Sequence, residues 1–159
     1  MPIRPIPESH IRRAVVDDIA ALVDIENASF PGNRLDRRRF RYLLTQANAV
    51  TLVDVADDAE GDAIRGYLLL LLRADSSVAR VYSVATHPAH LGTGAAARLV
   101  TAAERCAGAR QCAALRLEIR EDNAASLALF RTRGYAVFGR HAAYYHDGMA
   151  ALRLQKPLA

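Results

Sequence analysis

Residues 84–97 read Val84-Ala85-Thr86-His87-Pro88-Ala89-His90-Leu91-Gly92-Thr93-Gly94-Ala95-Ala96-Ala97, an apolar run that turns through small residues into a helical pattern. That order suits an anion cradle between a strand and a helix. Gly92 and Gly94 let backbone N–H groups approach a phosphate with no Cβ in the way, and the helix start adds unsatisfied N–H groups and the positive end of its dipole. Gly92-x-Gly94-x-x-Ala97 also fits a dinucleotide fingerprint, but that motif places its glycines tight against an opening strand near the N-terminus. Here Thr86 to Leu91 intervene, and three predicted strands come before the one that feeds the loop. A second candidate is Glu118, within the strict alternation Ala113 to Arg120, where Leu115, Leu117 and Ile119 share one face and Arg116, Glu118 and Arg120 the other. A carboxylate on an interior strand is costly unless paired or used. Either it is used in chemistry, or it forms an ion pair with Arg116 or Arg120.

The densest charge is Arg34, Arg37, Arg38, Arg39 and Arg41, in a chain of net charge +4 whose only lysine is Lys156. Such a cluster suits a nucleic acid, an acidic peptide or a phosphorylated cofactor, or is a solvated helix face. Only Phe40 and Tyr42 are interleaved with it, too few aromatic residues for base stacking, so nucleic acid is not the expected partner. Cys106 and Cys112 have no metal-like companions and read as two buried thiols; no metal is expected. With 159 residues, 52% of them hydrophobic, the chain is expected to form one domain over residues 1–159. No stretch has the length of a membrane span or a signal peptide, which places the expected protein in the cytoplasm, away from membranes.

These residues need elements to position them. Ile11 to Val15 reads as a first strand, and Asp17 caps a helix with Ile19, Leu22 and Val23 on its apolar face, ending near Phe30-Pro31-Gly32. A second helix is predicted from Asp36 to Gln46. Ala49 to Ala56 and Ile64 to Arg73 form a strand pair around the polar turn Asp57 to Asp62, and Val78 to Thr86 is the strand feeding the glycine loop. Leu99, Ala102, Ala103 and Cys106 give the next helix its face. Asn123 caps a further helix that Gly134 terminates, and two strands, Tyr135 to Tyr145 and Ala150 to Lys156, meet at an Asp147-Gly148 turn. The order is strand, two helices, three strands, helix, strand, helix, two strands.

In that context the chain resembles the GNAT superfamily of acyl-CoA-dependent N-acyltransferases. The family's loop Gln/Arg-x-x-Gly-x-Gly/Ala falls on Leu91-Gly92-Thr93-Gly94-Ala95-Ala96, with Leu91 in place of the polar first residue. Within the family the likeness is to RimI-type protein N-terminal acetyltransferases. It rests on Glu26 ahead of Ser29-Phe30-Pro31, on Leu117-Glu118-Ile119-Arg120, on Asp122 to Phe130, on Gly134-Tyr135 and on Tyr144 to Gly148. The resemblance implies an α/β (α+β) GNAT fold: a mixed, mostly antiparallel sheet of six to seven strands with about four flanking helices.

The resemblance further implies direct transfer of acetyl from acetyl-CoA to a primary amine of a protein or peptide, most of all an N-terminal one. Glu118 takes the position of the general base, acting through water. The strand end Val84-Ala85-Thr86 offers backbone N–H groups to the thioester carbonyl. Gly92, Thr93, Gly94, Ala95, Ala96 and Ala97 hold the pyrophosphate through backbone donors, and Asn123 and Phe130 complete the cofactor side. By its residue type alone Asn123 is a helix cap. RimI-type enzymes carry a tyrosine where this chain has Phe130, so the acid for the departing thiolate has to come from elsewhere; Tyr144 is the candidate, with Tyr145 and Tyr82 behind it. Tyr144 and Tyr145 equally suit the lining of a peptide groove. Glu26, Phe30, Pro31 and Tyr145 are the expected acceptor-binding residues. Two alternatives stand beside this reading: an acetyltransferase for small amines, and a CoA-binding regulatory module, which Leu91 and Phe130 motivate. A monomer or homodimer is expected.

Overall fold

The computed structural model describes residues 9–32, 34–46, 48–58 and 61–158. Seven strands form one sheet: β1 (Ser9–Arg13), β2 (Ala49–Asp58), β3 (Gly61–Leu72), β4 (Val78–Thr86), β5 (Ala114–Arg120), β6 (Ala136–His141) and β7 (Ala151–Pro157). Their order across the sheet is β1-β2-β3-β4-β5-β7-β6. Four helices accompany it, α1 (Ile19–Ser29), α2 (Arg37–Leu44), α3 (Ala95–Ala109) and α4 (Ala124–Thr132). This is the mixed α/β architecture the sequence implies. Among the described residues no helix is long and apolar enough to cross a membrane.

The residues group into two compact units, one formed by the described residues up to Leu70 together with Ser83–Ala103, the other by Leu71–Tyr82 with Glu104 onward. In the first, Leu68, Leu69 and Leu70 are all buried, as expected of a strand covered on both faces, and Phe40 of α2 packs edge-on against Tyr67 at 5.6 Å. In the second, β5 alternates as predicted, with Leu115, Leu117 and Ile119 buried and the charged positions between them half-buried. Its parallel ladder with β4 comprises three pairs, Val78–Ala114, Ala79–Leu115 and Arg80–Arg116. On its other side β5 pairs with β7 along its whole length, antiparallel, with Glu118 opposite Arg153.

Several local expectations shift. Asp18, rather than Asp17, organises the start of α1. Val16–Asp18 first make a 3₁₀ turn, and the Asp18 carboxylate folds back to accept from the Val15 N–H at 2.7 Å and from both ends of the Arg12 fork. Burial of α3 centres on Leu99, Val100, Ala103 and Ala107, while Ala102 and Cys106 are half-buried. The buried face is rotated from the expected one, since Val100 and Ala107 are buried with Leu99 and Ala103. Cys106 and Cys112 are both free and half-buried, not buried. β2 runs to Asp58 and β3 starts at Gly61, so both strands extend into the stretch predicted as a turn, of which residues 59 and 60 lie outside the described residues. β6 ends at His141 rather than Tyr145: Ala143 takes φ +52, and Tyr145 and Gly148 donate N–H groups to Met149 and Tyr145 carbonyls, at 3.1 and 2.9 Å. Tyr144 and Tyr145 therefore ride on a loop.

Candidate active site

In the first unit β4 delivers Val84, Ala85 and Thr86 to the loop. Gly66 lets β3 press close here, because a Cβ at that position would sit 2.7 Å from the Ala85 carbonyl oxygen. The His87 N–H donates to the Arg65 carbonyl at 2.8 Å, closing the strand end. Pro88–His90 then make a 3₁₀ turn in which His87 Nδ1 accepts from the Ala89 N–H. The Thr93 hydroxyl donates back to the His90 carbonyl at 2.7 Å, so the loop is braced from inside before α3 begins at Ala95. Gly92 and Gly94 take φ of +78° and +82°, a region that L side chains rarely adopt. Around the ideal Cβ of Gly92 nothing lies within 4 Å. Ala95 is buried and Ala96 and Ala97 are half-buried in the first turn of α3, whose N–H groups have no partner within the helix. These residues fit a diphosphate held by backbone donors. Leu91 is 69% exposed and offers no polar group.

The same unit places three of the expected acceptor residues, Glu26, Phe30 and Pro31. Glu26, on α1, is only 2% exposed, and its carboxylate accepts the Leu35 N–H at 2.8 Å and the Tyr67 hydroxyl. Because the single Tyr67 proton goes to Glu26, the Ser83 hydroxyl donates to Tyr67, at 2.8 Å. Glu26 thus anchors the chain beyond Phe30 and Pro31 to the inside of the sheet. Phe30 is half-buried at the end of α1 and Pro31 is exposed; Arg34 donates to both carbonyls, at 2.6 and 3.3 Å.

In the second unit Glu118 projects from the middle of β5 with its side chain 16% exposed. Its partners are neither Arg116, which donates to Gln155, nor Arg120, which bridges Asp122 and Asp147. They come from the flanking strands. Arg80 of β4 reaches Glu118 Oε2 with both Nε and Nη2 at 3.0 Å, and Arg153 of β7 stands 4.0 Å from Oε1. Arg80 Nη2 also donates to the Tyr144 hydroxyl at 3.0 Å, so carboxylate, guanidinium and phenol form one line. Burial works against the charge of Arg80, but Glu118 and Tyr144 outweigh it and hold its pKa above the ordinary arginine value. The Tyr144 ring packs edge-on against Tyr145 at 5.0 Å, and Arg120 lies 5.0 Å over the Tyr145 ring. Burial, reinforced by Tyr144, raises the pKa of Tyr145, which keeps that phenol protonated through the neutral range.

Asn123 is exposed at the start of α4, its side-chain oxygen accepting from the Ser126 N–H at 3.2 Å, as a cap does. Phe130 is 1% exposed, with its ring edge-on to Tyr135 at 5.1 Å. Among the described residues no group of three or more His, Cys, Asp or Glu is placed to hold a metal ion.

The sequence matches the model of the acetyltransferase (GNAT) family over residues 19–135, more than half of the chain. The chain belongs to the GNAT acetyltransferase family. Solved structures agree on this acetyltransferase's fold. The ribosomal-protein-S18-alanine N-acetyltransferase from Escherichia coli superposes with a TM-score of 0.82 at 19% identity, over 96% of this chain and 95% of that one. The NatC complex bound to Gag peptide and CoA gives 0.82 at 20% identity, over 96% and 99%. Nourseothricin acetyltransferase gives 0.77 at 20% identity, over 95% and 99%. A comparison with curated protein sequences finds no match. Acyl-CoA-dependent N-acetyl transfer is the activity of the family, and the loop of this acetyltransferase joins two glycines of positive φ to the start of a helix, an arrangement suited to such a donor.

Sequence reasoning missed four residues of this acetyltransferase. Arg80 and Arg153 pair with Glu118 across strands, and no local pattern announces them. Asp54 and Arg98 were legible in part, because a carboxylate inside the apolar run Ala49 to Ala56 requires a partner.

Proposed function

We propose that this acetyltransferase transfers the acetyl group of acetyl-CoA to the N-terminal amine of a protein or peptide, with Glu118 as general base and Tyr144 as the acid for the leaving thiolate. The observation that carries the reading is the Glu118–Arg80–Tyr144 line, which joins the two groups by hydrogen bonds through one guanidinium. Acetyl-CoA supplies the activated acyl carbon. An amine arriving as ammonium must first lose a proton, and Glu118 Oε1, less closely held than Oε2, is the oxygen that takes it through water. As the new C–N bond forms and the C–S bond breaks, the Tyr144 hydroxyl, whose oxygen accepts from Arg80, gives its proton to sulfur, and the proton shed by the new amide nitrogen returns through water to the Tyr144 phenolate, leaving neutral amide and CoA thiol. Arg80 orients both groups and touches neither reacting atom.

A protein acceptor is supported by the paired aromatic rings of Tyr144 and Tyr145 on an exposed loop, a surface suited to peptide backbone. It is also supported by the likeness to the ribosomal-protein-alanine and NatC enzymes. The test is a panel in which the purified protein meets acetyl-CoA with short peptides of varied first residue and with free amines, among them polyamines, amino acids and aminoglycosides. CoA release and a mass increase on the peptide N-terminus are expected. Turnover of a free amine with every peptide inert would overturn the protein-modifying reading.

A further inference from the structure

Asp54 lies on β2 with its side chain fully buried. A carboxylate in such a place is tolerated only with a partner that satisfies its oxygens. Arg98, in the first turns of α3 and within the same unit, supplies that partner in fork geometry: Nε meets Oδ1 at 3.0 Å and Nη2 meets Oδ2 at 3.0 Å. The hydrogen bond to Asp54 outweighs burial and holds the Arg98 pKa above the ordinary arginine value, so the guanidinium is charged at every working pH. Its remaining nitrogen, Nη1, is not idle. It donates to the Thr93 carbonyl at 2.8 Å, in the middle of the glycine loop.

That third bond has a geometric consequence. The chain has no cis peptide bonds among its described residues, and in a trans peptide the C=O and the following N–H point in opposite directions. Holding the Thr93 carbonyl toward Arg98 turns the Gly94 N–H away from the guanidinium, and Gly94 is exposed. The two glycines also differ: a Cβ on Gly92 meets nothing, whereas one on Gly94 would sit 2.9 Å from Arg98 Nη1. The second glycine is therefore fitted to the arginine as well as to the turn.

We propose that Arg98, clamped by Asp54, is a positioning residue of the diphosphate cradle: it fixes the Thr93–Gly94 peptide so that the Gly94 N–H faces the acyl donor's diphosphate. The inference rests on the acyl-CoA reading of this site. It also accounts for Leu91. With no side-chain donor at that position, the cradle depends on backbone N–H groups, and a strap that prevents a peptide flip keeps one of them aimed.

The test titrates CoA and pantetheine, which lacks the diphosphate, into three proteins followed by amide NMR spectra: wild type, Asp54→Leu/Arg98→Met and Arg98→Lys. The double variant replaces the buried pair by apolar side chains and leaves no orphaned carboxylate, which protects the fold. It is expected to bind CoA about tenfold to a hundredfold more weakly, the worth of one hydrogen bond to a charged group, with pantetheine affinity within about twofold of wild type. Arg98→Lys keeps the charge and loses the fork, so CoA binding should fall there too. An equal loss for both ligands, unchanged CoA affinity in the double variant, or full rescue by lysine would each overturn the proposal. Failure of the wild-type protein to bind CoA would overturn the acyl-CoA reading, and the strap with it.

Discussion

Replacing Glu118 by glutamine separates a base from an ion pair, because the two roles predict losses of different size in different measurements. The glutamine is isosteric, still accepts a hydrogen bond from Arg80 and removes only the charge. Arg80 and Arg153 side chains are 41% and 42% exposed, so the pair is partly screened by water. Losing it should cost about 1 kcal/mol of stability, or roughly 2–4 °C in Tm for a chain of this length. Losing a positioned general base costs about 10²–10⁴ in rate, or about 3–5 kcal/mol in the barrier at 1.36 kcal/mol per tenfold. The rate should thus fall far more than the melting point can explain. The pH profile adds a second signature. Without the base the variant depends on amine that is already neutral, and an α-amino group has a pKa of about 8, so the deficit should shrink toward alkaline pH. The assay is thiol release from acetyl-CoA with a turned-over peptide, from about pH 6 to about pH 9, beside thermal melts of the same samples. A Glu118→Gln protein with a lowered Tm and an unchanged rate across that range would show that the carboxylate only pairs with Arg80 and Arg153.

Asp18 gives a prediction of stability against pH. The Arg12 fork, against the opposing effect of burial and with help from the Val15 N–H, holds its pKa below the ordinary carboxylate value, so its contribution is present above the unfolded value of about 3.9 and drains as pH falls through the folded one. Asp18→Asn should therefore cost about 1–2 kcal/mol in denaturant melts at neutral pH and much less in acid, and a deficit independent of pH would contradict the linkage. The arginine face of α2 gives another. Arg37, Arg38 and Arg41 are exposed on the helix that follows the Phe30-Pro31 loop, and under the proposed peptide reading that placement favours acidic residues in the acceptor. Reversing all three to glutamate should raise KM for acidic peptides by about tenfold, from three exposed pairs of a few tenths to one kcal/mol each, and leave kcat alone. An equal rise for neutral peptides would refute it.

What the sequence made legible followed from short-range pattern. The alternation of Leu115, Leu117 and Ile119 set β5 and put Glu118 on the opposite face from them, and Asn123 and Gly134 bracketed α4 because a cap and a left-handed stop are local requirements. The partners of Glu118 were illegible for a physical reason. Arg116 and Arg120 share its strand face but stand two residues along, about 7 Å of backbone away, whereas cross-strand neighbours approach to about 5 Å. Arg153 stands directly opposite Glu118 on β7, while Arg80, in register with Arg116, reaches Glu118 diagonally from β4; both come from chain segments 35 to 38 positions distant, which no local pattern links to Glu118. The same reasoning bears on Phe130. Its ring is buried against Tyr135, whose own hydroxyl needs Glu104 as acceptor at 3.2 Å, so a second phenol in that place would require another buried partner. On the exposed loop Tyr144 has Arg80 as its donor and open water beside it. A hydroxyl on the hairpin meets no such demand, and in the proposed mechanism Arg80 couples it to Glu118.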